Sequence, residues 1–149
     1  MLRTPPRPTE AELAILRVLW RRGPSTVRQV QEVLERDRPT GYTTALKLLQ
    51  IMLEKGLVLR DESSRTHVYR ARALEQQTKR QLLRDVAERA FEGSLVDLVK
   101  EALAARPPTR EEAAEIRKLL RPLEDQPAPR RSSPSPPADD VPPESGRLF

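Results

Sequence analysis

A short run of side chains near the middle of the chain carries hydrogen-bonding groups that could read the edges of DNA bases. At 100° per residue, Thr43, Lys47, Gln50 and Glu54 fall on one face of a helix, with Thr44 and Ile51 beside them, and all but Glu54 carry groups suited to base edges. An ammonium group can donate to guanine O6 or N7, an amide can pair with adenine, and side-chain methyl groups can meet the thymine methyl. We therefore predict that these five residues form a base-reading set in the major groove.

The opposite face of the same segment is apolar, as a helix that packs on a core requires. It consists of Ala45, Leu49, Met52 and Leu53. Gly56 is expected to end the helix, and Leu57–Leu59 and Thr66–Arg70 are predicted to be two short strands around the polar turn 61–65. Helix, strand, turn and strand in this order are the second half of a winged helix.

The first half of a winged helix is predicted just upstream. One helix should run from about Glu10 to Arg22, where Gly23-Pro24 breaks it, and a second from Val27 to about Arg36. Helix starts are marked where a hydroxyl residue precedes an acid or amide by three places, the spacing of a capping box. Four predicted helix starts carry such a pair: Thr9 with Glu12, Thr26 with Gln29, Ser94 with Asp97, and Thr109 with Glu112.

Three further residues are predicted to hold DNA phosphates and so to set the register of the base contacts. They are Thr26, Tyr42 and Arg65. Thr26 stands where a helix begins, and Arg65 lies in the turn of the wing. For Thr26 the alternative is an ordinary helix cap that faces water instead of a phosphate.

The charge distribution favours a polyanionic partner for the first half of the chain. Residues 1–72 contain 14 Lys or Arg against 8 Asp or Glu, whereas residues 73–125 contain 10 against 11. A basic surplus draws nucleic acid through counterion release, although an Arg-rich solvated surface is an equally simple explanation. The absence of cysteine excludes disulfides, thiolate metal sites and cysteine nucleophiles. We expect no cofactor, no metal, no membrane insertion and a cytoplasmic location.

Beyond residue 73 the pattern of apolar residues predicts three amphipathic helices. Three helices in about 50 residues are too few to bury their own apolar stripes. We favour packing against the same helices of a second chain over packing on the winged helix. The predicted dimer interface consists of Leu82, Leu83, Val86, Phe91, Leu95, Leu98, Val99, Ile116, Leu119 and Leu120.

The resulting fold class is mainly α, with an N-terminal winged helix-turn-helix of three helices and a short two-stranded wing, followed by a three-helix dimerisation region. We predict a disordered arm at 1–8, a DNA-binding domain at 9–72 and a dimerisation domain at 73–125. Residues 126–149 are predicted to be a disordered tail, because seven prolines in 24 residues leave little to bury.

Four ordered signatures lie between Thr9 and about Leu123. They are Glu12 through Leu19-Trp20, Gly23 and Thr26-Val27 to Val30; Tyr42-Thr43-Thr44, Leu48-Leu49, Leu53 and Lys55-Gly56; Arg65 with Val68-Tyr69; and Phe91, Gly93, Ser94 and Leu95. In these signatures the chain resembles the penicillinase repressor family, the group that contains the BlaI, MecI and CopY repressors. The resemblance implies a homodimeric winged-helix repressor that binds a palindromic promoter operator. It also implies that a signal removes the repressor from this operator.

The chain also departs from that family. Copper-sensing members carry a C-terminal cysteine cluster, which is absent here. In β-lactam-responsive members a membrane-bound sensor metalloprotease leads to cutting at an Asn-Phe bond, where this chain has Leu98-Val99. Such a protease is a candidate partner that the residues themselves do not support. Lys47 and Ile51 replace the more usual Thr and Arg, so a different operator sequence is expected.

Two other classes of function compete with a repressor. A winged helix can serve as a protein-interaction module without any operator, and binding to duplex DNA would distinguish the two. An enzyme is the weakest alternative, because the only histidine, His67, lies in a predicted wing strand without a nucleophile motif or metal-ligand spacing nearby.

Overall fold

The computed structural model describes residues 6–126, which form six helices and three short strands. The elements are α1 (Glu10–Arg22), β1 (Ser25–Thr26), α2 (Val27–Asp37), α3 (Tyr42–Lys55), β2 (Val58–Asp61), β3 (Val68–Ala71), α4 (Glu75–Phe91), α5 (Leu95–Ala105) and α6 (Arg110–Glu124). The fold class is confirmed: the protein is mainly helical, with a small antiparallel sheet. Most of the predicted N-terminal arm (1–8) and all but the first residue of the predicted tail (126–149) lie outside the described residues.

The core lies where α1, α2 and α3 meet the sheet. Each helix contributes residues from its apolar stripe, and the side chains of Ile15, Val30 and Leu49 are completely buried. Removing such aliphatic side chains from water stabilises the fold by about 1.5–3 kcal/mol each. The core therefore fixes which face of α3 points inward.

The sheet has the strand order β1-β3-β2, with both pairs antiparallel. The two predicted wing strands are present, and Ser25–Thr26 adds a third that the sequence did not predict. Ser25 lies opposite Tyr69, and Thr26 opposite Val68. A strand of two residues has no alternating pattern to detect, and Thr26 had already been assigned to a helix start. β2 and β3 each begin and end one or two residues later than predicted.

Three of the four predicted capping boxes are complete. The hydroxyls of Thr9, Thr26 and Thr109 accept from the backbone three residues later, and the side chain there accepts in return. At Ser94 only the first half forms, with Asp97 N donating to Ser94 Oγ over 3.2 Å. α6 continues to Glu124, past its predicted end at Arg121, and so includes Pro122. Proline has no backbone N–H to donate within the helix, but in the last turn this loss interrupts little further helix.

The chain divides into two compact units, residues 1–101 and residues 102–149, with the division inside α5. The predicted boundary between residues 72 and 73 stays a prediction. None of the residues in α4, α5 or α6 is buried. Among residues 6–126 no helix is both long enough and apolar enough to cross a bilayer.

Candidate nucleic-acid interface

The structure brings the five predicted base-reading residues together on one side of α3. Thr43, Thr44, Lys47 and Gln50 are exposed, and Ile51 is half-buried beside them. On the opposite side Ala45, Leu49 and Met52 are completely buried. The helix therefore presents a polar face made of a cation, an amide, two hydroxyls and several methyl groups.

The position of α3 is fixed at its carboxyl end. Lys55 Nζ lies 2.7 Å from Glu12 Oε1 in the first turn of α1. Gly56 adopts the left-handed conformation at φ 77°, and its N–H donates to Leu53 O over 3.1 Å, closing the last turn. Glycine adopts this conformation without a steric penalty. These contacts hold the polar face in one orientation relative to the core.

The amino end of α3 lacks the side-chain cap that the other helices of the winged helix have. Gly41 occupies the cap position and makes no side-chain hydrogen bond. The first backbone N–H groups of a helix have no partner inside the helix, and they carry a partial positive charge that attracts anions. Tyr42 is 51% exposed at the same place. These amides were not predicted from the sequence, although a glycine at the cap position indicates a helix start without a side-chain cap.

Thr26 combines three roles. Its backbone pairs with Val68, its N–H donates to Gln29 Oε1 over 2.9 Å, and its hydroxyl oxygen accepts from Gln29 N over 3.3 Å. The N–H is therefore engaged, which leaves only the hydroxyl of Thr26 for the predicted phosphate contact. A threonine hydroxyl can donate while it accepts, so its hydrogen can still bind a phosphate.

The turn of the wing is ordered by its own side chains and presents Arg65 to solvent. Ser63 N donates to Asp61 Oδ1 over 2.8 Å, and the hydroxyl of Ser64 donates to Thr66 O over 2.8 Å. Hydrogen bonds from the hydroxyl and the N–H of Ser63 lower the pKa of the Asp61 carboxyl. At the base of the wing, a hydrogen bond to Tyr69 raises the pKa of Arg60, which also pairs with Glu62.

Two further predicted features can be placed. His67 is exposed and lies one residue before β3, not within a wing strand as predicted, and within residues 6–126 no three His, Asp or Glu side chains are grouped as a metal site would need. All the predicted dimer-interface residues lie on α4, α5 or α6 and are half-buried or exposed. Leu95 and Leu119 are the most exposed of them, at 65% and 70%.

The chain is similar to several known proteins. Residues 8–122 match the family model described as penicillinase repressor. The chain is 43% identical over 61 residues to the transcriptional regulator BlaI of Mycobacterium tuberculosis, in strains CDC 1551 / Oshkosh and ATCC 25618 / H37Rv. That alignment covers 40% of this chain, which spans only 44% of the length of those relatives. A solved structure concerned with the DNA recognition and protein interaction domains of HOP2 shares 22% identity and a TM-score of 0.36, covering 38% of this chain and 91% of that one.

Proposed function

The chain belongs to the penicillinase repressor family, a family of transcriptional repressors, and we propose that it represses transcription as a homodimer on a palindromic promoter operator. The family consists of repressors and not of enzymes, in agreement with the expectation that the chain is not an enzyme.

The observation that carries the proposal is the two-sided character of α3. Any surface helix is polar on its solvent side, but the four neighbouring exposed residues here, among them Lys47 and Gln50, carry the donors that base edges accept. The major groove of B-DNA is about 12 Å wide and admits one α-helix. The exposed face of α3 offers donors and methyl groups for base edges, and the buried face holds that helix rigidly.

In this arrangement Lys47 donates to guanine and Gln50 pairs with adenine. Thr43, Thr44 and Ile51 contact thymine methyl groups. Phosphates are held by Thr26, Tyr42 and Arg65, with the first-turn amides of α3 as an additional anion site. The phosphate contacts fix the register, and the base contacts select the sequence.

The dimer is proposed from the exposed apolar stripes of α4, α5 and α6. Leu83 and Val86 on α4, Val99 on α5 and Leu120 on α6 are each more than two-fifths exposed in the single chain. Aliphatic side chains left in water at this density mark a contact surface. A second copy would bury them and would place two reading helices in a two-fold relation, which matches a palindrome.

Repression would be steric, because a dimer that covers the promoter excludes polymerase. The proposal places the protein in the cytoplasm, where that DNA lies. We further propose that a signal relieves repression by separating the dimer. One route is cleavage of the Leu98–Val99 bond in α5 after a membrane-bound sensor metalloprotease is activated.

A binding titration tests the proposal against its main rival, a winged helix that contacts only proteins. Duplex DNA from the region upstream of the gene that encodes the chain is titrated with the protein at two salt concentrations, with an unrelated duplex as competitor. A repressor should prefer the upstream DNA and lose affinity as salt rises. Failure to bind any duplex at low salt would leave the protein-interaction module as the explanation.

A further inference from the structure

A cleft of about 1000 Å³ opens at the carboxyl end of α3, between the base of the wing and the first half of α4. This volume is at the upper end of the range found for small-molecule sites. The base-reading residues begin at the other end of the helix, since Thr43 and Lys55 are separated by about 18 Å along the axis at 1.5 Å per residue, and the last of them, Ile51, lies about 6 Å from Lys55 along the axis. We call this space the α3–α4 cleft.

The floor of the α3–α4 cleft is apolar and its edge is basic. Leu16, Leu57 and Leu82 come from α1, the start of the wing and α4. The cationic side chains in the lining are Arg7, Lys55, Arg72, Arg80 and Arg84. Glu54 is the acid among the residues that line it. The uncharged part of a ligand would fit against the apolar floor, and an anionic group of the same ligand would fit beside the arginines at the edge.

Two of the five cations already have partners. Lys55 pairs with Glu12, and Arg7 Nε lies 2.9 Å from Asp85 Oδ2. Within residues 6–126 the other three, Arg72, Arg80 and Arg84, form no salt bridge. Against the single charge of Glu54 they leave a surplus of two positive charges at the edge of the cleft.

The guanidinium of Arg72 lies close to the backbone of Gly56, where there is no side chain to displace it. A side-chain Cβ at Gly56 would stand only 3.3 Å from Arg72 Nη1, so the guanidinium lies against the glycine backbone. On α4, Arg80 and Arg84 are four residues apart and so share one face of the helix. Guanidinium groups from the wing base and from α4 therefore converge on one space.

We propose that the α3–α4 cleft binds a small amphipathic anion, one that carries a phosphate or carboxylate group on an apolar body. Guanidinium groups recognise both kinds of anion through paired, charge-assisted hydrogen bonds. The bound molecule connects the end of α3 to α4 and thereby reinforces the hydrogen bond from α1 to the segment before α4, in which Trp20 Nε1 donates to Ala73 O over 3.0 Å.

The single tryptophan makes the test specific. Trp20 gives one indole N–H signal in a proton–nitrogen NMR spectrum, and its acceptor, Ala73, lines the cleft. The full chain without DNA is titrated with phenyl phosphate at constant ionic strength, and phenol serves as the neutral probe. We expect saturable shifts of the Trp20 indole and of the amides of Gly56 and Arg72 with phenyl phosphate, and none that saturate with phenol.

Arg80→Gln should weaken binding of phenyl phosphate about tenfold, the loss expected for a charge-assisted hydrogen bond. The matched control is Arg89→Gln, which removes the same charge on the opposite side of α4, nine residues away in sequence. The control should bind as the parent does. Neither arginine is buried, so both variants should fold.

Three results would overturn the proposal. The first is that the NMR shifts do not saturate with phenyl phosphate. The second is that phenol binds as tightly as phenyl phosphate. The third is that Arg80→Gln and Arg89→Gln weaken the binding of phenyl phosphate equally. A fourth is that Arg80→Gln weakens binding to duplex DNA while phenyl phosphate does not bind at all, which would make the cleft part of the DNA surface. Because the titration contains no DNA, its outcome does not depend on whether the chain is a repressor.

Discussion

Glu12 in the first turn of α1 and Lys55 in the last turn of α3 form an ion pair whose charged atoms are 2.7 Å apart. The second oxygen of the same carboxylate accepts from Thr9 N over 2.9 Å. The side chain of Glu12 is 3% exposed and that of Lys55 is 33% exposed. One buried carboxylate thus caps the first helix and anchors the helix that we propose enters the DNA groove.

Removal of Lys55 should destabilise the protein more than its partly exposed position suggests. Lys55→Met would leave the buried charge of Glu12 without its partner, and we expect a loss of about 2 kcal/mol, below the 3–5 kcal/mol of a fully buried pair because Lys55 reaches solvent. Urea unfolding measures it. Lys100→Met, at an exposed lysine on α5, is the control and should be nearly neutral. Adding Glu12→Gln to Lys55→Met should restore part of the loss, and strict additivity would contradict the coupling.

Replacement of Lys47 should change sequence preference. If Lys47 donates to one guanine, Lys47→Ala relaxes discrimination at that base pair by about 1–3 kcal/mol and leaves the other positions unchanged. Competition titrations with single-base variants of the operator measure the effect. A uniform weakening across all of these duplexes would show that Lys47 holds a phosphate instead.

Replacement of Arg65 should weaken binding to DNA without changing its sequence preference. As a phosphate contact from the wing, Arg65→Ala weakens binding to all duplexes alike and reduces the salt slope of the logarithm of the binding constant by about 0.9. Arg117→Ala, at an exposed arginine on α6, removes the same charge far along the chain and should keep the parental slope. Selective loss at one base pair would move Arg65 into the base-reading set.

The dimer should depend on the apolar stripe of α6. Leu119→Glu places a charge in the proposed interface and should shift sedimentation at micromolar concentration from dimer to monomer. Because Leu119 is 70% exposed in the single chain, its replacement should not unfold the protein. Ala114→Glu introduces the same charge at an exposed position outside the predicted interface and should leave the dimer intact. A parent protein that sediments as a monomer would remove the basis of the proposed dimer.

The start of α6 should lose stability in acid. A hydrogen bond from the Arg106 side chain, followed by one from Thr109 N, lowers the pKa of the Glu112 carboxyl. A carboxyl whose pKa is lower in the folded state stabilises that state above its ordinary pKa, and the contribution disappears as the pH falls through the lower folded value. Carbon NMR of the carboxyl follows the titration. Arg106→Gln should raise the pKa of Glu112 toward its ordinary value, and an unchanged titration would show that Arg106 does not contribute.

Much of the candidate interface could be predicted, because it depends on local repeats. The polar and apolar faces of α3 follow from 3.6-residue periodicity, and Thr43, Lys47 and Gln50 are exposed where that period places them. Helix starts at Thr9, Thr26 and Thr109 follow from pairs three residues apart. Each of these patterns is contained within a few turns of the chain, so no knowledge of the rest of the fold is needed.

Only the tertiary structure decided which distant residues meet. Ser25 pairs with Tyr69, Glu12 with Lys55, and Trp20 with Ala73, at separations in sequence for which no periodic pattern exists. The same holds for the α3–α4 cleft, whose cations come from the segment before α1, the end of α3, the end of the wing and one face of α4. Sequence by itself determined the helices, the two wing strands and the polar face of α3, because these depend on neighbouring residues, whereas β1 exists only through its pairing with β3. Packing alone determined the contacts between elements, because they follow from the shape of the shared core.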